Sequence, residues 1–93
     1  YFTSSRRDIS LSMDENQEIS SILKIIKQLE IPILKNIIIF DVYKGENIES
    51  GRKSIALGLI FQAKSRTLTD EEIDRYMTNI KRQIVSSFEV KIR

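Results

Sequence analysis

Hydrophobic residues change their spacing five times along this chain, and each change marks an element. In residues 6–13, Ile9, Leu11 and Met13 alternate with Asp8, Ser10 and Ser12. Period two predicts a strand with one buried face. Next, Ile19, Ile22, Leu23, Ile26 and Leu29 recur at helical spacing, and Ile25 widens the stripe. A helix is predicted over 14–30, capped by Asp14 with Gln17 three residues on, and ended by Pro32. Residues 36–43 are β-branched and aromatic and predict a second strand. A loop over 44–52 is bounded by Gly45 and Gly51, which tolerate positive φ. In the strand predicted over 53–63, Ile55, Leu57, Leu59 and Phe61 face one way; Ser54, Ala56, Gly58 and Ile60 face the other.

The second helix has the strongest start signal. Thr69 is the N-cap, Glu72 its capping-box partner, and Leu68 with Ile73 forms a hydrophobic staple. Asp70, Glu71 and Glu72 suit the positive end of the helix dipole. Ile73, Met77, Ile80 and Ile84 form its apolar stripe. Phe88, Val90 and Ile92 then alternate with charged residues in a short last strand. The order is βαββαβ. Two right-handed βαβ halves give an α+β, ferredoxin-like sandwich: a four-stranded antiparallel sheet, order 4-1-3-2, with two helices on one face. The other face is open.

Composition narrows the chemistry. A chain of 93 residues makes one domain, 1–93. It has no cysteine and no histidine, which excludes disulfides, thiolate or imidazole metal sites and the commonest general base. No catalytic or metal-ligating residue is assigned. No segment reaches the ~18 apolar residues of a membrane span, and no signal peptide opens the chain, so a cytoplasmic location and no membrane partner are expected. Net charge is only +2. Lys44, Arg52 and Lys53 nevertheless gather around one loop, either as a solvated charged loop or as phosphate contacts.

Strand parity sorts the open face. With Phe40 and Val42 packed on the helices, Asp41 and Tyr43 lie on the open face, Tyr43 opposite Ser54 and Asp41 opposite Ala56. Ser10 and Ser12 join them from the first strand. An aromatic ring, a carboxylate and small neighbours make either an amphipathic strand edge with a turn-bonding aspartate or a seat for one unstacked base, since RNA is read mostly by stacking and by the Watson–Crick edge. A carboxylate accepts, so guanine, with N1–H and N2–H, matches best. The same parity puts Ile37 and Ile39 on the open face of an edge strand, opposite Ile60 and Gly58. That is an aggregation liability unless a bulge flips the register or another surface covers it.

The run Phe40-Asp41-Val42-Tyr43-Lys44-Gly45, then Gly51-Arg52-Lys53-Ser54, then Arg66-Thr67-Leu68-Thr69-Asp70-Glu71-Glu72, resembles the ferredoxin-fold anticodon-binding domain at the C-terminus of bacterial phenylalanyl-tRNA synthetase β subunits. The resemblance spans Arg7 to Arg93. It implies that Asp41, Tyr43 and Ser54, and more loosely Ser10, read the anticodon of tRNA(Phe). It also implies a parent α2β2 ligase in which the α subunit and other β-subunit domains are partners. That parent would use ATP and Mg2+; this domain would hold no cofactor. The loop Glu46-Asn47-Ile48-Glu49-Ser50 departs from relatives that carry proline there, and its glutamates dilute the positive charge.

Other users of this topology fit less well. An acylphosphatase needs an arginine-bearing phosphate loop after the first strand, where this chain has Met13-Asp14-Glu15. An RNA-recognition motif needs stacking aromatics on the third strand. An ACT-like small-molecule module needs a glycine near the first strand–helix turn; it remains the alternative, with a protein-interaction module.

Overall fold

The computed structural model describes residues 3–44, 48 and 50–93. Its elements are β1 (Ser5–Asp14), α1 (Ile19–Gln28), β2 (Leu34–Tyr43), β3 (Arg52–Phe61), α2 (Asp70–Ser87) and β4 (Lys91–Ile92). The sheet runs β2-β3-β1-β4 with every pairing antiparallel, which is the expected ferredoxin-like order. The predicted positive φ at Gly51 is present, at 80°. Gly45, Glu46, Asn47 and Glu49 lie outside the described residues.

The core forms where two periodicities meet. Ile9, Leu11 and Met13 of β1 and Ile55, Leu57, Leu59 and Phe61 of β3 point to one side and are buried. Ile22 and Ile26 of α1 and Ile73, Met77, Ile80 and Ile84 of α2 cover them. Each fully buried aliphatic side chain stabilises the fold by about 1.5–3 kcal/mol.

The first helix starts later than predicted. β1 continues through Asp14, which pairs with Arg52. Asn16 N–H donates to Asp14 Oδ1 at 2.8 Å, and Gln17 N–H to the Asp14 carbonyl at 3.0 Å. Asp14 therefore closes a turn. A helix cap and this turn use the same local carboxylate-to-backbone bond, so they look alike in sequence; the strand ladder decides between them. Glu18 takes the N-cap position without a side-chain cap bond. At the other end, Leu29 is the C-cap and Glu30 takes the left-handed conformation, φ 51°.

The edge strand also departs from simple parity. Ile39 pairs with Leu57 and Asp41 with Ala56, so two steps along β2 match one along β3. Phe40 is the extra residue of a β-bulge. The bulge reverses the expected placement of Ile37 and Ile39: they share the helix side with Leu59 and Leu57. Ile37 packs against the core, whereas Ile39 and Val42 on the same side remain exposed. A groove beside α1 is lined by Leu23 and Ile26 together with Leu34 to Ile37 of β2. Phe40, expected inside, is 49% exposed.

The start of α2 matches its sequence signal in one half. Glu72 N–H donates to Thr69 Oγ1 at 3.2 Å. Leu68 and Ile73 both join the core. The Glu72 carboxylate does not complete the box. It accepts two hydrogen bonds from Arg66, from Nη1 and Nη2, each at 2.6 Å. Those bonds chiefly hold the Glu72 carboxyl below its ordinary range.

Two outcomes follow for stability. Thr69→Ala should cost about 0.5–2 kcal/mol, read as a lower urea midpoint, because the Glu72 N–H loses its acceptor. Glu72 has a folded pKa below its unfolded value, so its ion pair stabilises fully above the unfolded value, near 4.3, and the benefit fades as pH falls through the folded one. The stability gap between wild type and Glu72→Gln should thus hold steady from pH 7 to about 5 and shrink below about 4. A gap that widens in acid would contradict the pairing.

Candidate functional site

Cross-strand partners share a face, so the register maps the open side of the sheet. One row runs Asp41, Ala56, Ser10; the next runs Tyr43, Ser54, Ser12, Lys91. Adjacent strands are about 4.8 Å apart, so each row is a tight line of side chains. Asp41 is exposed and Tyr43 is 43% exposed. Ala56, Ser54 and Ser10 between them are small and half-buried, which leaves a shallow floor beside the ring and the carboxylate. The structure thus brings Asp41, Tyr43, Ser54 and Ser10 together.

The three loop cations separate. Lys44 follows Tyr43 and is exposed. Arg52 lies at the end of the open face, where its Nη2 donates to the Ser12 carbonyl at 2.9 Å and lies 3.4 Å from Ser12 Oγ. Lys53 does not join them. It pairs with Met13 on the helix side and is only 8% exposed. Neighbours along a strand point to opposite faces, so Arg52 and Lys53 cannot both reach one ligand on the open side.

Two groups escaped sequence reasoning. Arg93 reaches the site from the far edge: its backbone N–H donates to the Ser10 carbonyl at 2.9 Å, and its Nη1 to Ser54 Oγ at 3.3 Å. Alternation with Ile92 placed it on the open side, but only tertiary pairing of β4 with β1 shows which residues it meets. The second group is Phe40 with Arg6. The Arg6 guanidinium carbon lies 4.9 Å from the Phe40 ring centroid, and Arg6 Nε donates to Asp8 Oδ1 at 2.8 Å. The bulge carries Phe40 to this face beside Asp41, and no sequence signal marks it.

Gly58 makes room for that contact. A Cβ there would come within 2.9 Å of Arg6 Nε and Nη2. Among the described residues, no group of three carboxylates gathers to hold a metal ion, and no helix is long and apolar enough to cross a membrane. The surface offers stacking, hydrogen bonding and positive charge. These are means of binding.

Comparison with known proteins gives a consistent picture. The family model described as the ferredoxin-fold anticodon binding domain matches residues 1–93. The phenylalanine–tRNA ligase β subunit of Bacteroides thetaiotaomicron is 36% identical over 92 residues, covering 99% of this chain and 11% of that protein. The β subunit of Carboxydothermus hydrogenoformans is 38% identical over 88 residues, covering 95% of this chain and 11% of that protein. That of Acinetobacter baylyi is 38% identical over 92 residues, covering 99% and 12%. The chain spans about a ninth of the length of these relatives.

Gly58→Ala tests the arrangement of the open face. The guanidinium is the end of a flexible side chain, so it should move off the Phe40 ring rather than strain the sheet. The expected cost is under about 1 kcal/mol, the worth of an exposed cation–π contact. The Arg6 Nε–H chemical shift should change while the melting temperature falls by less than about 8 °C. An unmoved Arg6 resonance would contradict the geometry.

Proposed function

The chain belongs to the ferredoxin-fold anticodon-binding domain family, and from that premise we propose that its open face reads one base of the tRNA(Phe) anticodon. The observation that carries this reading is the pairing of Asp41 and Tyr43 on one exposed face over a floor of small residues. Tyr43 supplies a stacking surface. The Asp41 carboxylate accepts from N1–H and N2–H of guanine, an edge that adenine does not offer. Ser54 Oγ supplies a further polar contact, and Ser10 keeps the floor low. Lys44 and Arg52 lie where a backbone phosphate passes. Lys53 has no part in this reading, because it is buried on the other side.

In this reading residues 1–93 are one non-catalytic domain of a longer cytoplasmic β subunit of phenylalanine–tRNA ligase. The α subunit and the other β-subunit domains are its partners in an α2β2 enzyme, and ATP and Mg2+ act elsewhere in that enzyme. The exposed Ile39 and Val42 on the helix side support contact with a neighbouring domain.

Aminoacylation of tRNA(Phe) variants by the intact ligase tests the reading. Tyr43→Ala should weaken transition-state binding by about 1–3 kcal/mol through lost stacking. Asp41→Ala should narrow the difference in kcat/KM between guanine and adenine at the first anticodon position. Unchanged kcat/KM and unchanged base preference in both variants would sink the assignment.

A further inference from the structure

A cleft of about 620 Å³ opens at the β4 end of the sheet. Arg52, Lys91 and Arg93 line it beside Ser12, and the end of α2 closes it through Val85 and Phe88. We propose that this cleft binds a phosphate of the RNA backbone next to the base read by Tyr43 and Asp41. Arg93 and Lys91 act there as phosphate ligands along with Arg52. The proposal rests on the open-face reading for the identity of the RNA.

The arginines of this chain are neutralised to different degrees. Arg6, Arg7 and Arg66 each face a carboxylate: Asp8 at 2.8 Å, Asp70 at 2.8 Å and Glu72 at 2.6 Å. Among the described residues Arg52, Arg75, Arg82 and Arg93 have no such partner; of these, Arg52 and Arg93 line the cleft. Arg52 donates to a backbone carbonyl, and the side chain of Arg93 donates to a hydroxyl. Both bonds orient a guanidinium and leave its charge uncompensated. Each group has five N–H donors, so most of them remain available for an anion.

Opposing charge is present but smaller. Glu89 supplies one carboxylate to the lining, and in the 93-residue chain the α-carboxylate of Arg93 itself supplies a second. The last turn of α2 adds the negative end of its dipole, about half a charge. The three cations exceed these together by about half a charge, and the guanidinium side chains reach past the backbone carboxylate. Val85 and Phe88 make part of the wall apolar, which lowers the local dielectric and strengthens the attraction.

Position links the cleft to the base seat. Tyr43, Ser54 and Ser12 are consecutive partners across three strands. Two strand spacings make about 10 Å, comparable to the reach from a stacked base to its own or the next phosphate. Arg93 touches Ser54 beside the ring and also lines the cleft, so a single nucleotide can engage both.

Salt dependence separates phosphate binding from base reading. The full 93-residue chain is titrated with an anticodon stem-loop RNA over a range of NaCl concentrations. Arg93→Gln and Lys91→Gln are exposed changes, and circular dichroism melts confirm that each variant is folded. Each should weaken binding roughly fivefold at ~0.1 M salt and reduce the slope of log K against log[salt] by about 0.7. The loss should be equal for loops carrying guanine or adenine at the first anticodon position. Tyr43→Ala should instead weaken binding with the slope unchanged.

A double Lys91→Gln/Arg93→Gln variant with wild-type affinity and slope would overturn the cleft. If Tyr43→Ala still weakened binding, the base seat would survive that failure; if neither responded, both readings would fall. A loss in Arg93→Gln that depends on base identity and leaves the slope unchanged would place Arg93 at the base and also overturn the proposal. Inorganic phosphate and chloride at equal ionic strength distinguish the anion's source. Equal displacement of RNA is expected. Stronger displacement by phosphate that needs Lys91 and Arg93 would show a free-phosphate site and overturn the RNA assignment.

Discussion

Burial of one alternating set, Ile55, Leu57, Leu59 and Phe61 of β3, fixes the register of the whole sheet. β3 is flanked by β1 and β2, so its register sets both neighbours. Shifting it by one residue would expose four large side chains and bury Ser54 and Ala56 in their place. Because that slip is so costly, Ser54 and Ala56 are held on the open face. β1 follows the same rule: the burial of Ile9, Leu11 and Met13 presents Ser10 and Ser12. The open face is therefore positioned by the packing of the other face.

β2 escapes this rule and gains from it. As an edge strand it has one neighbour. A bulge at Phe40 costs little there, because few core contacts depend on perfect pairing. It adds one side chain to the open face without disturbing Asp41 and Tyr43. Phe40, Arg6 and Gly58 then form a second aromatic and cationic feature one row away. The exposure of Ile39 and Val42 on the helix side is the accompanying cost.

Charge is organised in the same way. Two arginines on the helix side and its connections, Arg7 and Arg66, are tied to α2 carboxylates and serve the fold. At the β4 end of the open face, Arg52 and Arg93 are oriented by neutral oxygens and keep their field. A net charge of +2 conceals this division. The distribution of charge matters more here than the total, since an anion responds to local field within about a Debye length.

Element order, strand alternation and the start of α2 are legible in the amino-acid order alone, because each depends on residues within a turn or two of one another. The amino-acid order also placed Asp41, Tyr43, Ser54 and Ser10 on one face, since period-two parity is local. Tertiary structure decided what local pattern leaves ambiguous. Asp14 became the end of β1 because pairing with Arg52 took precedence over a cap that uses the same kind of hydrogen bond. Phe40 faced outward because the ladder with β3 absorbed an extra residue, which no periodicity announces. Lys53 was separated from Arg52 by the pleat, although the two are adjacent in the chain. Arg93 joined Ser54 only through the pairing of β4 with β1, across 39 positions of sequence. Hydrophobic spacing records which face a residue prefers; which distant residues meet on that face is set by strand register, and register is a property of the packed whole.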